Sequence, residues 1–282
     1  MTLEVDMDTS SLGDRIKQYE SVSEQVLPNN IPVIIRLDGS NFSKLTDQYF
    51  DKPFDEEFES AMNQAALSVL RYCSGAQIAL VQSDEINILL RNDQSSDFDP
   101  FLSNRTQKLA SLTASKASVA FSSKLREFDI KRNEVFDSRA FVVPKSEVVN
   151  VFIWRQEDAF KNCVSSIAYF GLKEKYGTEK ANDTLYEKDL DERQEIIFQE
   201  LGKNVNNVVT SRKRGRLIYK VNEEEKYESY FSDQKYEKLL SNGYIEKGGH
   251  VVRSSWKIDN NPPRLTSDDA LIKNLVYEDG QK

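Results

Sequence analysis

The chain is poor in the residues that build metal cages and cross-links: it has two cysteines, Cys73 and Cys163, and one histidine, His250. With no CxxC spacing, neither a disulfide framework nor a thiolate zinc site can be assembled, and a single histidine excludes multi-histidine metal centres. Long apolar runs are also missing. No stretch approaches the ~18 residues a membrane span requires, and the opening MTLEVDMDTSSLGDR is acidic and polar, unlike a signal peptide. We therefore expect no membrane partner and a cytoplasmic location. An overall basic excess is absent too: 38 Lys and Arg stand against 46 Asp and Glu, a net charge of −8, which argues against a general polyanion-coating protein. Catalysis by such a chain rests on carboxylates, bound metal and backbone groups, helped by Lys, Arg or Ser.

What is present suffices for a folded globule. Of 282 residues 39% are hydrophobic, with 15 Phe, 12 Tyr and 2 Trp to fill an interior. Charge is unevenly spread. Pro100 to Arg126 has no acid but five bases (Arg105, Lys108, Lys116, Lys124, Arg126), and Leu201 to Lys220 has none but six (Lys203, Arg212, Lys213, Arg214, Arg216, Lys220). Two basic segments in an acidic chain read as local phosphate sites or, equally, as solvated faces.

Ile31 to Leu37 (IPVIIRL) is a β-branched run ending at Asp38-Gly39, a buried strand followed by a turn. In DKPFDEEFESAMNQAALSVLRYC apolar residues recur at helical spacing, with Pro53 suited to a first turn. AQIALVQ and INILLR, separated by Ser83, Asp84 and Glu85, read as a hairpin with acids at its bend. Long helices follow over Ser103 to Phe128 and Val148 to Tyr176, with the strand RAFVVP between them and short charged helices over Thr178 to Leu201. RGRLIYKV and HVVRSSWKI read as late strands around a polar excursion, Asn222 to Gly243, and the tail after Pro262-Pro263 shows little periodicity. This order predicts an α+β fold, an antiparallel sheet with helices packed on one face. We expect a catalytic domain over 1–220 and a smaller C-terminal extension over 221–282, a β-hairpin with a polar tail.

The strongest local signal is a pair of acids at strand ends, Asp38 and Asp84, with Glu85 beside the second. If the first strand lies beside the hairpin, the two carboxylates converge at one sheet edge. Hard oxygen ligands there would hold two Mg²⁺ ions ~3.5–4 Å apart, an arrangement suited to phosphoryl transfer. Gly39 would let backbone approach a triphosphate and offer its carbonyl to a metal.

Taken together, GDRIKQYE, VIIRLDGSNFSKLT, KPFD, QSDEINILL, RTQKLAS, FDSRAFVVP, WRQEDAFKN and RGRLIYK, in this order, make the chain resemble the tRNA-His guanylyltransferases and their wider group of 3'-to-5' nucleotide polymerases. The resemblance runs from Gly13 to about Lys220. It implies a palm-like catalytic domain of the polymerase and cyclase type, with Asp38, Gly39 and Asp84 as ligands of two Mg²⁺ ions and Glu85 in the catalytic group. It further implies nucleotide contacts from Gly39, Ser40, Asn41, Phe42, Ser43, Lys52, Ser83, Arg105, Lys108 and Asn162, with GTP and ATP as substrates. Lys213, Arg214 and Arg216 are candidate contacts to the RNA backbone, or else the basic outward face of a strand. The implied partner is the 5' end of a tRNA or other structured RNA, and the implied assembly a homotetramer.

The chain also departs from the pattern. Phe160 and Cys163 stand where eukaryotic members have the His and second Asn of a HINN run, Arg193 stands where they have a Lys, and Ser43 replaces a frequent His. WRQxDAxxN is similar to the bacterial, archaeal and phage-like branch, which implies template-dependent 5'-end repair. Two rival readings remain open: a palm-domain cyclase or oligonucleotide synthase working without RNA, and a catalytically silent RNA-binding protein.

Overall fold

A computed structural model describes residues 9–93, 99–266 and 270–277. In chain order the elements are α1 (Thr9–Ser21), β1 (Val33–Gly39), α2 (Phe42–Tyr49), α3 (Glu56–Tyr72), β2 (Ala76–Gln82), β3 (Glu85–Leu90), α4 (Thr106–Glu127), β4 (Phe136–Val142), α5 (Lys145–Tyr176), α6 (Thr178–Leu185), α7 (Leu190–Leu201), α8 (Thr210–Arg214), β5 (Arg216–Lys226), α9 (Tyr227–Tyr230), α10 (Asp233–Ser241), β6 (His250–Asp259) and α11 (Ala270–Tyr277). The described strands form one six-stranded sheet, order β4-β1-β3-β2-β5-β6, with every neighbouring pair antiparallel. The expected α+β sheet and its hairpin are both present.

The expectation that helices pack on one face is corrected. Val33, Ile35, Leu37, Ala79, Val81 and Ile88 face α3 and α4. Ile34, Ile78, Leu80 and Leu89 face the opposite way, onto Val148, Val149 and Phe152 of α5 and onto Leu265 and Ile272. The physical reason lies in the strands themselves. IPVIIRL and INILLR are continuous apolar runs, and a strand apolar at successive residues buries both faces, whereas a half-solvated strand alternates.

α3 begins at Glu56, three residues beyond Pro53. Its N-cap is Asp55, whose carboxylate accepts from the backbone N–H groups of Glu57 and Phe58 at 2.8 and 3.0 Å. Past the sheet, the second half of α5 packs through Cys163, Val164, Ile167, Ala168 and Leu172 against α6 and α7. At Gly171 a Cβ would stand 2.4 Å from Leu201 Cδ1, so glycine is what lets α7 approach α5.

Three details of the C-terminal reading change. The 220/221 boundary falls within β5, which pairs with β6 from Leu217↔Asp259 to Lys226↔His250, so the first residues of the supposed excursion are strand. Within that excursion the chain then forms α9 and α10. The described residues of the tail are structured as well: Gln156 of α5 donates through Nε2 to Pro263 O (3.1 Å) and accepts through Oε1 from Leu265 N (2.8 Å), and α11 lies farther along. A run of eight residues is too short to show a convincing helical period, and these contacts come from a helix distant in sequence.

Candidate active site

β1 lies between β3 and β4, with Asp38 opposite Glu85 on one side and Asp137 on the other. The β2–β3 hairpin turns at Ser83, which adopts a left-handed φ of 44°, and Asp84. Gly39 N–H donates to Asp84 O at 3.0 Å, fastening the hairpin bend to the end of β1. A Cβ on Gly39 would meet Phe42 Cγ at 2.4 Å, so the ring of Phe42 closes against the strand only because residue 39 is glycine. Asp38 and Asp84 thus line one cleft of about 310 Å³ together with Ser83, Glu85, Arg155, Asp158 and Asn162.

The acids of this cleft are unequally served. Arg155 of α5 grips Glu85 with two bonds, Nε to Oε1 and Nη2 to Oε2, both 2.7 Å, and its Nη2 also donates to Asp158 Oδ2 at 2.9 Å. Asn87 Nδ2 donates to the same Glu85 Oε1 at 2.6 Å. Glu85 is therefore a held carboxylate that positions the hairpin and α5, not a free ligand. Asp38 has no such partner. Burial, then the negative charges of Asp84, Asp137 and Glu85, push its pKa from 3.8 up to about 6. Burial likewise raises the pKa of Asp84, against the opposing pull of hydrogen bonds from its own backbone N–H and from Ser83 and, more weakly, of the Lys52 charge.

Among the described residues no group of three or more His, Cys, Asp or Glu side chains forms a metal cage. The donor set is two carboxylates that line an open cleft: among the described residues Asp38 is without an ion-pair partner and Asp84 is held only by neutral hydrogen-bond donors and a distant lysine. Such a set fits Mg²⁺, which takes one or two carboxylates and completes its octahedron with water and substrate phosphate oxygens; it does not fit zinc.

The other expected residues divide. Lys52 lines the adjoining cleft with Ser43, Ser83 and Asp84, its Nζ 2.6 Å from Thr46 Oγ1 and 3.0 Å from Asp47 Oδ1. Asn162 is exposed at the mouth and donates to Asp158 Oδ2 at 3.3 Å. Ser40 and Asn41 lead from β1 into α2, with Asn41 in a left-handed conformation at its N-cap. Phe42 is corrected. Its side chain is 2% exposed and packs among Phe58, Phe121 and Phe136, so the ring is core and not available to a nucleotide.

Arg105 and Lys108 are not brought to this cleft within the chain. Arg105 precedes α4, bridges by backbone to Val26 and pairs with Glu24 at 3.2 Å. That region adjoins the start of β1, about 17 Å along the strand from Asp38. The RNA-contact group is corrected as well. Lys213 and Arg214 are partly exposed on α8 rather than on a strand, but Arg216 is 3% exposed and bonds Asn63 Oδ1 of α3 at 2.7 Å, so it belongs to a cleft wall and not to the outward face of a strand.

Asp137, Arg155 and Asp158 join the site although the residue pattern did not single them out. Their one signal was position: Asp137 lies two residues ahead of RAFVVP and the other two sit in WRQED. Phe160 is half-buried against the α5–α7 cluster, and Arg193 holds Ser165, on the cleft wall, through Nη1 at 3.0 Å.

A model of the tRNAHis guanylyltransferase family matches residues 13–144. The tRNA(His) guanylyltransferase of Candida glabrata is 31% identical over 214 residues, 72% of this chain and 87% of that protein. Among solved structures, a bacterial tRNA(His) guanylyltransferase-like protein in complex with ATP superposes with a TM-score of 0.76 at 31% identity, covering 94% of this chain and 99% of that one. The same kind of protein in complex with GTP gives 0.69 at 30% identity, over 95% and 99%. Identity at this level, carried across most of both partners and joined to the same fold, makes the chain a member of the tRNA(His) guanylyltransferase family, a family of nucleotidyltransferases.

Proposed function

We propose that the protein is a 3'-to-5' RNA polymerase that adds nucleotides to the 5' end of tRNA or a similarly structured RNA, choosing each by pairing with a template base. The observation that carries this reading is the convergence of Asp38 and Asp84, poorly compensated, at one sheet end beside clefts lined by phosphate-binding residue types. Similarity to proteins studied with ATP and with GTP supports both nucleotides as substrates.

In this reading the 5'-phosphate of the RNA, activated as an adenylate or triphosphate, is attacked in line by the 3'-OH of the incoming nucleoside triphosphate. The new O–P bond forms as AMP or pyrophosphate leaves. Asp38, Asp84 and the Gly39 carbonyl would hold two Mg²⁺. When bound, Mg²⁺ would lower the pKa of the attacking hydroxyl and neutralise charge on the leaving phosphate. Lys52, the Ser83 hydroxyl and the Asn162 amide would bind and orient the triphosphate. Arg155 keeps Glu85 out of competition for the metal by occupying both its oxygens. A cytoplasmic homotetramer belongs to the same proposal, and Arg105 and Lys108 would then act on a nucleotide held by a neighbouring subunit.

The test is incubation with labelled tRNA lacking its first nucleotide, offering each nucleoside triphosphate in turn with Mg²⁺. Extension by the nucleotide complementary to the facing base is expected. No extension by any nucleotide overturns the activity, and the same nucleotide opposite every facing base overturns templating.

A further inference from the structure

The end of the sheet that carries Asp84 has a second concavity around its side, between α3, α8 and the residues just after β6. This cleft of about 770 Å³ lies within the size range of small-molecule sites. Arg212 and Arg216 line both it and the neighbouring cleft that holds Lys52, Ser83 and Asn162, so the two spaces share a wall of guanidinium groups.

Arg216 is the unusual member. It opens β5 opposite Val81, one strand from the hairpin bend and so about 5 Å across the sheet from it. Its Nε donates to Asn63 Oδ1, its Nη1 stands 3.8 Å from Glu59 Oε2, and its Nη2, buried, has no hydrogen-bond partner. Burial lowers its pKa to about 10, a sign of how poorly the charge is served. A buried guanidinium short of acceptors calls for an explanation, and its planar fork matches the paired oxygens of a phosphate. Arg212 lies over Phe54 at 5.2 Å and leans on the same Glu59 at 3.0 Å, with Glu56 only reaching 4.0 Å. Two arginines thus share essentially one carboxylate. Beyond them the cleft is lined by carboxamides, Asn63, Gln64, Asn260 and Asn261, and floored by Leu67 and Ile258. Cation fork, amide edges and apolar floor are the three things a nucleotide needs for its phosphate, base edge and base face.

We propose that this cleft is a second nucleotide subsite, separate from the Asp38–Asp84 centre, which takes a nucleoside phosphate with its phosphate on Arg212 and Arg216 and its base edge on Asn63, Gln64 and Asn260. The nucleoside phosphate is either a free nucleotide or one nucleotide of a single-stranded RNA, since both present the same groups. The subsite stands whether or not the protein extends RNA 5' ends, because it needs neither the paired aspartates nor a metal.

The experiment is calorimetric titration of the full chain in EDTA, where a magnesium triphosphate cannot be held, with AMP, GMP, inorganic phosphate and a single-stranded RNA trinucleotide. Saturable binding of a mononucleotide, or of the trinucleotide alone, is expected. Arg212→Gln should weaken it by about tenfold or more, the scale of removing one charged hydrogen bond. Ser60→Phe, which adds bulk on the cleft wall without removing charge, should weaken it similarly, and it keeps the test sound if Arg212→Gln fails to fold. Mononucleotide and trinucleotide binding alike assigns the subsite to single nucleotides of either source, and trinucleotide binding alone assigns it to a strand. Absence of binding, binding unchanged in both variants, or phosphate binding as tightly as the nucleotides would overturn the proposal.

Discussion

The two ends of the central sheet both carry aspartates, yet they treat them oppositely. Just beyond β3, the side chain of Asp93 is 2% exposed and locked between Arg91 and Lys145, the latter at 2.8 Å, and these two cations hold its pKa below the usual carboxylate range. At the other end of β3, Asp38 and Asp84 are partly or largely buried beside further acids, with Arg139 and Lys52 as minor counter-charges, and their pKa values rise. One end has its charge neutralised from within. The other leaves it to be neutralised from outside, by cation and substrate. Where a protein spends stability on uncompensated like charge, the chemistry is to be sought. The same contrast separates Glu85, answered by Arg155, from Asp38, its neighbour across the strand pair.

The sharpest way to break this comparison is to remove an acid from each end. Asp38→Ala or Asp84→Ala should lower nucleotide addition by at least about 10²–10³-fold, the scale of losing one preorganised charge-stabilising group, while the metal-free protein melts no earlier than the parent. Single-turnover assays beside thermal melts decide it, and wild-type rates with unchanged Mg²⁺ dependence would remove these residues from the metal site. Asp93→Asn should behave in reverse. It should cost about 3–5 kcal/mol, the usual loss on breaking a buried ion pair, with turnover per folded molecule unchanged; urea titration monitored by circular dichroism measures it.

A smaller effect separates the two ends by pH. Asp38 has a folded pKa of about 6 against an ordinary 3.8, so its contribution is fully present below 3.8 and is lost as pH rises through 6. Asp93 has a lowered pKa, so its contribution is present above 3.8 and is lost as pH falls below that value. The melting temperature of metal-free Asp38→Asn should therefore gain on the parent between about pH 4 and pH 6, whereas any deficit of Asp93→Asn should shrink only on further acidification. Mg²⁺ should raise the melting temperature of the parent above pH 6 and leave Asp38→Asn unmoved. The smallest effect tests the basic segment. Joint replacement of Lys213 and Arg214 by Ala should lower the salt slope of RNA affinity by up to ~0.7–0.9 for each phosphate left unneutralised, and an unchanged slope would remove α8 from the RNA surface. Arg216→Ala should instead appear as an earlier melt.

Much of this molecule was legible in the residue order. Continuous β-branched runs marked β1 and the hairpin, helical spacing marked α3 to α5, and the acids at strand ends marked the cleft, because such periodicities follow from backbone geometry and need no partner. The family motifs pointed to the same two aspartates. The same strings did not show that α5 covers the second sheet face or that the tail folds against Gln156, since both depend on contacts between residues about a hundred positions apart.

Local pattern also says which residues are charged but not whether another charge answers them. Sequence alone determined that this chain builds an antiparallel sheet with Asp38 and Asp84 at its turns. Only the tertiary structure decided that Glu85 and Asp93 are neutralised while Asp38 is not, that Phe42 is core, that Arg216 lies under α3, and that Arg105 stands at the wrong end of β1. Burial and pairing of charge are properties of spatial neighbours, supplied here by α3, α5 and Lys145, and a residue's own segment carries no record of them.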